Sequence, residues 1–255
     1  MPTDTTISEL QKIAVEESRL GIPVLFGLDV IHGYKTIFPI PLAEACSWEP
    51  ELMKETARIA AKEASAAGVH WTFAPMVDIS RDPRWGRVAE GAGEDPYLGS
   101  VIAAARVEGF QGESLDNPES ILACAKHFVG YGAPEGGRDY NTVDMSLQTL
   151  HDVYLPPFKA AAEAGVTTFM SAFNDLNGIP CTANKYLLTD VLRGEFGFNG
   201  FVVSDANSIP EVVVHGYAED NKDASKKALN AGLDMDMSQG TYRNELPKLI
   251  KEKAI

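Results

Sequence analysis

The feature that most constrains this chain is a repeated order of a short apolar run, a polar residue and a segment with helical periodicity. The clearest run is Gly200–Ser204 (GFVVS), which is followed by the carboxylate Asp205. A continuous apolar run of this length is typical of a parallel strand, because helices cover both faces of a parallel sheet. Strands that alternate with helices predict right-handed crossovers. The order therefore indicates an α/β fold of the (β/α)8 TIM-barrel kind.

The runs and the periodic segments predict six strands and seven helices. A closed barrel needs eight strands and typically about 250 residues, and here long loops at 78–96 and 130–139 use much of the chain. We therefore expect an incomplete barrel with about six βα units. The predicted strands are 23–29, 69–75, 121–125, 166–174, 200–205 and 233–237. The predicted helices are 7–19, 48–67, 97–111, 147–164, 185–196, 219–231 and 241–253.

The charge balance limits the partners of this chain. Its 255 residues include 36 acidic and 22 basic side chains, which gives a formal net charge of −14. That field repels phosphate groups, so neither nucleic acid nor an anionic membrane surface is expected as a partner. The three cysteines are far apart and odd in number, which suits neither a disulfide framework nor a zinc cluster. No apolar run of about 18 residues and no signal-peptide pattern occurs, so no membrane span is predicted.

Polar residues follow most of the predicted strands. The carboxyl ends of parallel barrel strands meet on one face, where barrel enzymes have their active sites. Carboxylates predominate there, and arginines and aromatic rings lie in the nearby loops, a mixture that suits a neutral polyhydroxylated ligand. A carboxylate that attacks an anomeric carbon is the route of a retaining glycosidase, and we predict Asp205 as that nucleophile. The strand-end residues are Asp29, Lys126, His127, Asn174, Asp205, Asp234 and Asp236.

Other chemistries remain open at this point. Lys126 could form a Schiff base in a barrel lyase, but the surrounding acids would stabilise its charged form. His32, His127 and the aspartates could bind a divalent metal, but no metal-binding spacing of histidines occurs, and we predict no cofactor. The glycines near 91–93 and 136–137 do not open a helix with a following Lys-Ser/Thr, so no phosphate site is predicted. A sugar-binding barrel without catalysis is a further alternative.

Five ordered motifs carry a resemblance to a known family. They are Gly27–Gly33 (GLDVIHG), Arg81–Arg87 (RDPRWGR), Gly93–Pro96 (GEDP), Lys126–Phe128 (KHF) and Val203–Asp205 (VSD). The chain, over essentially residues 10–255, resembles the N-terminal barrel domain of glycoside hydrolase family 3, on its bacterial β-glucosidase branch. The resemblance implies a β-glucoside or oligosaccharide substrate.

The resemblance also implies a role for each matching residue. Asp205 matches the nucleophile, and Asp29 matches a carboxylate that binds remote hydroxyls of the sugar in the −1 subsite. Met170 matches a methionine that lines the same pocket. The further residues that match ligands of the sugar are Arg87, Lys126, His127 and Arg138.

Several positions depart from the family pattern. Many relatives have a tyrosine at the position of Phe173 and a stacking tryptophan at the position of Ala206. We expect Phe173 only to pack, and Ala206 to leave a wider floor in the pocket. The loop 129–140 lacks the histidine of the family's β-N-acetylglucosaminidases. Relatives that cleave xylosides usually have a glutamate at the position of Asp29, so the aspartate here favours a hexose such as glucose.

A retaining hydrolase also needs a second carboxyl group, about 5–5.5 Å from the nucleophile, as acid and base. Glu90, Glu94 and Glu135 lie in loops, and we expect Glu90 and Glu94 to pair with the arginines nearby. In two-domain relatives this glutamate comes from an α/β sandwich domain that follows the barrel. We therefore expect residues 1–255 to be the barrel domain alone, with a clipped start, and the acid/base to lie in an absent C-terminal sandwich domain.

Overall fold

The computed structural model describes residues 4–255, with side chains from residue 6 onward. Helices alternate with strands as the sequence predicts, which confirms the α/β class. The strands are β1 (Gly27–Leu28), β2 (Trp71–Thr72), β3 (Cys124–Phe128), β4 (Thr168–Ser171), β5 (Asp175–Leu176), β6 (Ile179–Pro180) and β7 (Phe201–Ser204).

The helices account for most of the predicted helical segments. Turns of π-helix at Ile13–Glu17, Leu150–Tyr154 and Tyr186–Glu195 replace parts of three of them. The break after Tyr154 precedes two prolines at 156–157, which lack the N–H that a continuous α-helix needs. The α-helices are α1 (Asp4–Lys12), α2 (Pro41–Ala45), α3 (Pro50–Ala66), α4 (Pro96–Gln111), α5 (Leu147–Thr149), α6 (Pro156–Glu163), α7 (Ser208–Val214), α8 (Asn221–Ala231) and α9 (Thr241–Lys251).

The parallel strands follow one another in chain order. β1 pairs with β2, and β3, β4 and β7 form a second parallel ladder. Bridges from Trp71 to Leu122 and from Met76 to Lys126 connect the two ladders, so that β2 lies beside β3. Among residues 4–255 no ladder joins the last parallel segment to β1, so the sheet is open. The parallel sheet is confirmed, whereas a closed barrel is not formed by the described residues.

The sixth predicted strand, 233–237, is the least regular one. It makes a single parallel bridge, from Met235 to Val203 of β7. The carboxylate of Asp234 replaces a backbone acceptor there, because its Oδ2 accepts from Val202 N at 2.7 Å and from Arg193 Nη2 at 2.6 Å. Asp234, which the sequence placed among the strand-end polar residues, therefore fastens the strand itself.

A hairpin, two helices and three short 3₁₀-helices were not predicted from the sequence. The hairpin β5–β6 turns at Asn177-Gly178, and both residues have positive φ, 52° and 82°. An Asn-Gly pair between apolar residues is a strong signal for a two-residue turn, so this element was readable from the sequence. The two helices are α2 and α7, and the 3₁₀-helices are Gly86–Glu90, Glu135–Gly137 and Cys181–Ala183.

The helices pack closely on the outer face of the sheet. Asp95 caps α4, because its Oδ1 accepts from Leu98 N at 2.7 Å. A Cβ on Gly109 of α4 would lie 2.5 Å from the backbone oxygen of Lys54 in α3, so this close helix–helix approach requires glycine. A phenylalanine cluster fills the space beneath, and each such ring buried in full contributes roughly 1.5–3 kcal/mol. Its members are Phe128, Phe158, Phe169 and Phe198. No helix within residues 4–255 has the length and apolar character needed to cross a membrane.

A buried ion pair fixes the loop that follows β1. Arg106 of α4 donates from Nη1 to Glu44 Oε2 at 2.8 Å, and from Nη2 to the carbonyl oxygen of Ile31. Both charged side chains are shielded from water, so removal of one partner would leave an uncompensated buried charge. The pair therefore holds the loop in which Asp29 lies near its start.

Candidate active site

Asp205 lies directly after β7, at the carboxyl end of the parallel sheet. Asn207 adopts a left-handed conformation (φ 69°) and leads into α7, so the chain turns sharply after the carboxylate. Asp205 Oδ1 accepts from Ala206 N at 2.6 Å. The side chain is 13% exposed, which leaves one side open to a ligand. Burial raises the pKa of Asp205 to about 6, against the opposing effects of the Ala206 N–H and of the Lys126 and Arg87 charges.

His127 lies beside Asp205 and is fully buried. Its Nε2 is 3.3 Å from Asp205 Oδ2, but the geometry is not that of a hydrogen bond. On the opposite side of the ring, Nδ1 lies 2.8 Å from Asp78 Oδ2, which also accepts from His127 N at 2.9 Å. Burial lowers the pKa of His127 well below its ordinary value, and the nearby charges of Arg87 and Lys126 act in the same direction. The imidazole is therefore neutral at physiological pH.

Lys126 and Asp29 form an ion pair at the same edge of the sheet. Lys126 Nζ lies 2.8 Å from Asp29 Oδ1. The lysine side chain is 5% exposed, whereas the aspartate is 62% exposed and faces the solvent side of the pocket. The lysine nitrogen donates to this carboxylate and is therefore engaged in an ion pair rather than free to attack a carbonyl group. This pairing counts against the Schiff-base alternative for Lys126.

Arg87 is held by Glu90 within the 3₁₀-helix Gly86–Glu90. Its Nε lies 2.6 Å from Glu90 Oε1, and its Nη2 lies 3.0 Å from Glu90 Oε2, which confirms the predicted ion pair of Glu90. The guanidinium lies over the ring of Tyr131, with its Cζ 5.4 Å from the ring centroid. Burial lowers the pKa of Arg87, but the hydrogen bonds and charge of Glu90 outweigh burial and raise it overall. The predicted ion pair of Glu94 is not formed within residues 4–255.

Met170 and Phe173 are both buried and pack against neighbouring apolar and aromatic side chains. Met170 of β4 is buried in a small cluster with Trp71 and Val203, on the inner face of the sheet. Phe173 packs against the rings of Tyr131 and Tyr140 and lies 6.4 Å from the His127 ring, which agrees with a packing role.

Arg138 stands apart from the other candidates. It is exposed, and its Nε lies 3.4 Å from the carbonyl oxygen of Glu135 in its own loop. Within the described residues it makes no contact with Asp205, Lys126 or His127, so its sugar-binding role stays a prediction.

Two cavities are large enough to hold a small ligand, but they differ in their distance from the candidate residues. One of about 360 Å³ opens beside Asp29 and is lined by His32, Glu90 and apolar residues of the loop 31–41. A larger one, of about 730 Å³, lies between α3 and α4 and is lined mostly by charged side chains that pair with each other. Of these two cavities, only the smaller is lined by a candidate sugar ligand, Asp29, and Asp205 lines neither. Among residues 4–255 no group of three or more His, Cys, Asp or Glu side chains could hold a metal ion.

One buried carboxylate beside this group, Asp78, was not singled out from the sequence. It follows the apolar pair Met76-Val77, so it stands at the end of an apolar run like the other strand-end residues. The sequence analysis assigned it to the start of the loop 78–96. In the structure it is buried, and its Oδ1 lacks a hydrogen-bond partner among the described residues.

Comparison with known proteins identifies the same family that the sequence motifs resemble, over nearly the whole chain. The glycosyl hydrolase family 3 N terminal domain matches residues 3–255. A periplasmic beta-glucosidase of Salmonella typhimurium is 48% identical over 98% of this chain, and a beta-xylosidase of Formosa agariphila is 43% identical over 100% of it. A crystal structure of beta-glucosidase from Listeria innocua in complex with glucose superposes with a TM-score of 0.97, at 47% identity and over 100% of this chain.

The match covers only part of each relative. The chain spans 32% of the Salmonella protein, 38% of the Formosa protein and 36% of the Listeria chain. The motifs that carry the resemblance in the sequence lie around the carboxyl edge of the sheet, where the structure brings Asp29, Lys126, His127 and Asp205 together. The chain belongs to glycosyl hydrolase family 3 and contains the N-terminal domain of that family.

Proposed function

We propose that this chain carries the nucleophile and the sugar site of a retaining β-glycosidase of the β-glucosidase type, with Asp205 as the nucleophile. The observation that carries the proposal is the position of Asp205. It is a mostly buried carboxylate at the end of β7, open on one side and flanked by Lys126 and His127. The names of the relatives, beta-glucosidase and beta-xylosidase, support the reaction class.

The proposed reaction has two steps. The ionised Asp205 attacks the anomeric carbon while the glycosidic C–O bond breaks, and the leaving oxygen takes the bonding electron pair and a proton from a general acid. A water then attacks the anomeric carbon of the glycosyl ester and gives its proton to the same group, which releases the sugar and the free carboxylate. Because the pKa of Asp205 is raised only to about 6, most of the carboxylate is ionised at pH 7.

The side chains around Asp205 supply the donors and acceptors that a sugar needs. Asp29 and Lys126 share a hydrogen bond that sugar hydroxyls can join, and His127 adds a nitrogen at the base of the pocket. Arg87 is oriented by Glu90. We infer a glucosyl preference from the short side chain of Asp29, which leaves room for a hydroxymethyl group. Arg138 and Met170 are proposed as more peripheral members of the sugar site.

The acid/base of this mechanism is proposed to come from outside residues 4–255. Glu90 is engaged by Arg87, and Asp29 is engaged by Lys126. Asp78 is separated from Asp205 by the imidazole ring, so it cannot reach the leaving oxygen. A following α/β sandwich domain is the source that the family resemblance implies.

The test is covalent labelling with a 2-deoxy-2-fluoro-β-glucoside that carries a dinitrophenolate leaving group. Such a leaving group needs little protonation, so the folded chain should form an adduct on Asp205 that mass spectrometry of its peptides locates. Asp205→Asn is the control and should give none. Glucose binding by the parent chain without any adduct would favour the sugar-binding alternative and sink the nucleophile assignment.

A second measurement tests the origin of the acid. Without an acid/base, cellobiose should turn over about 10²–10⁴-fold more slowly than with one, because its leaving alkoxide needs a proton. Ordinary cellobiose turnover by residues 1–255 alone would refute an external acid while leaving Asp205 in place. A matching 2-fluoro-β-xyloside distinguishes the glucosyl from the xylosyl preference.

A further inference from the structure

One buried group near Asp205 has no part in the mechanism described so far, the carboxylate of Asp78. Its Oδ2 lies 2.8 Å from His127 Nδ1 and 2.9 Å from His127 N. On the far side of the ring, His127 Nε2 lies 3.3 Å from Asp205 Oδ2. The three side chains therefore form a line of carboxylate, imidazole and carboxylate. Asp78 and His127 are shielded from solvent, and only Asp205 reaches the pocket.

The contacts of Asp78 Oδ2 decide which ring nitrogen carries the proton. The backbone N–H of His127 can only donate, so this oxygen already acts as an acceptor. If the neutral ring carried its proton on Nε2, the lone pair of Nδ1 would face the same oxygen at 2.8 Å. Burial raises the pKa of Asp78 to about 7, so above that pH the carboxylate is ionised, and a proton on Nδ1 turns the contact into a charge-assisted hydrogen bond. The neutral ring is therefore held with Nδ1 protonated and with a bare lone pair on Nε2.

The state of Nε2 matters for the nucleophile. The contact of Nε2 with Asp205 Oδ2 is longer, 3.3 Å, and misaligned for a hydrogen bond, so a proton on Nε2 would gain less there than a proton on Nδ1 gains from Asp78, and it would leave no acceptor beside Asp205 for a sugar hydroxyl. A bare Nε2 leaves that carboxylate free and accepts a hydrogen bond from a hydroxyl. Among residues 4–255, Nε2 is buried and has no hydrogen-bond partner, which is unusual for a buried acceptor.

We infer that Asp78 is the positioning residue of this site: it orients the His127 ring and keeps Nε2 as an acceptor for a donating sugar hydroxyl beside Asp205. The identity of the ligand as a sugar rests on the proposed function. The assigned tautomer does not, because it follows from the contacts of Asp78 and His127 alone.

The direct test is nitrogen NMR of the chain labelled with ¹⁵N-histidine. The chain has five histidines, and loss of one signal set in His127→Gln assigns the ring. At pH 8.5, where the Asp78 carboxylate is ionised, the His127 ring should show a protonated Nδ1 and an unprotonated Nε2. A protonated Nε2 in the parent chain would overturn the inference, and this result needs neither activity nor a substitution at Asp78.

The second test replaces Asp78→Asn, which removes the charge but keeps an oxygen for the backbone N–H. We expect a mixed His127 tautomer and a labelling rate of Asp205 that falls about tenfold to a hundredfold, as for the loss of a hydrogen bond to a charged group. The matched control is Asp175→Asn. Asp175 is also a buried carboxylate, 3.2 Å from a ring nitrogen of His215. This control should label within about twofold of the parent chain.

The outcomes are separable. Equal losses in both variants would mean a general effect of disrupting a buried Asp–His pair, and parent-like labelling and tautomer in Asp78→Asn would mean that Asp78 positions nothing. Either result overturns the inference and leaves the proposed function intact. Absence of an adduct in the parent chain, together with a protonated Nδ1, would refute the proposed function and support the assigned tautomer.

Discussion

Replacement of the proposed nucleophile, Asp205→Asn, should stabilise the fold at neutral pH while it abolishes labelling. The reason is that folding takes this carboxylate out of water. Burial raises the pKa of Asp205 from 3.8 to about 6, so the folded state favours the protonated carboxyl. The folded chain is therefore penalised increasingly as the pH rises from about 4 to about 6, and the full penalty applies above pH 6.

The size of the effect follows from the shift. A pKa difference of about 2 units corresponds to roughly 3 kcal/mol, at about 1.4 kcal/mol per unit. Asparagine is neutral and keeps the oxygen that accepts from Ala206 N. We expect a gain of about 1–3 kcal/mol at pH 7.5, or roughly 2–12 °C in Tm.

Urea unfolding of both chains at pH 4 and at pH 7.5 measures this difference. The gain should be small at pH 4, where the parent carboxyl is itself protonated, and large at pH 7.5. Asp223→Asn is a control of opposite sign, because the hydrogen bond from Lys227 lowers the pKa of Asp223 and removal of the carboxylate should destabilise the chain at neutral pH. An Asp205→Asn chain that is less stable than its parent at pH 7.5, or equally shifted at both pH values, would refute the burial argument.

Three further substitutions probe the sugar site. Asp29→Asn leaves the buried ammonium of Lys126 without its carboxylate, so unfolding in urea at pH 7 should show a loss of about 1–3 kcal/mol and calorimetry should show weaker glucose binding. Arg138→Ala should change the labelling rate by less than about threefold, as expected of a peripheral member of the sugar site, because the guanidinium is exposed and its one hydrogen bond among the described residues is to the carbonyl of Glu135; a tenfold loss would make it a direct ligand of the reacting sugar. Ala206→Trp should leave the stability within about 0.5 kcal/mol, since this position is exposed, and should tighten the binding of aryl β-glucosides in competition assays by adding a stacking ring.

Most of the site could be predicted from one pattern in the sequence, a polar residue at the end of each apolar run. Four residues lie at such positions: Asp29, Lys126, His127 and Asp205. Parallel pairing brings the ends of neighbouring strands to the same edge of the sheet. No contact needs to be known for that inference, because the topology alone dictates it. The same pattern also placed Asp234 in the site, but its carboxylate accepts hydrogen bonds from Val202 N and Arg193 and holds the strand in place.

What the sequence could not reveal is which polar groups are paired with each other. Asp78 and His127 are 49 positions apart, and only the folded chain brings Asp78 Oδ2 against the ring. Arg138 and Arg87 look alike in the sequence, yet one is exposed and the other is fixed by Glu90 over a tyrosine ring. Such pairings depend on loop conformations and side-chain rotamers, which apolar periodicity does not encode.

A physical signal independent of family resemblance identifies the same edge of the sheet. Burial raises the pKa values of Asp78 and Asp205 and lowers that of His127, so three contiguous groups are each held in an environment that opposes their charge. Asp78 Oδ1 and His127 Nε2 are buried without hydrogen-bond partners among the described residues. A sequence selected only for stability would replace such groups, because each of them lowers the free energy of unfolding. Perturbed groups that cluster around Asp205, a carboxylate still open on one side, are the pattern expected of a catalytic site, where function is kept at the expense of stability. The predicted stabilisation by Asp205→Asn is therefore a test of function as much as of burial.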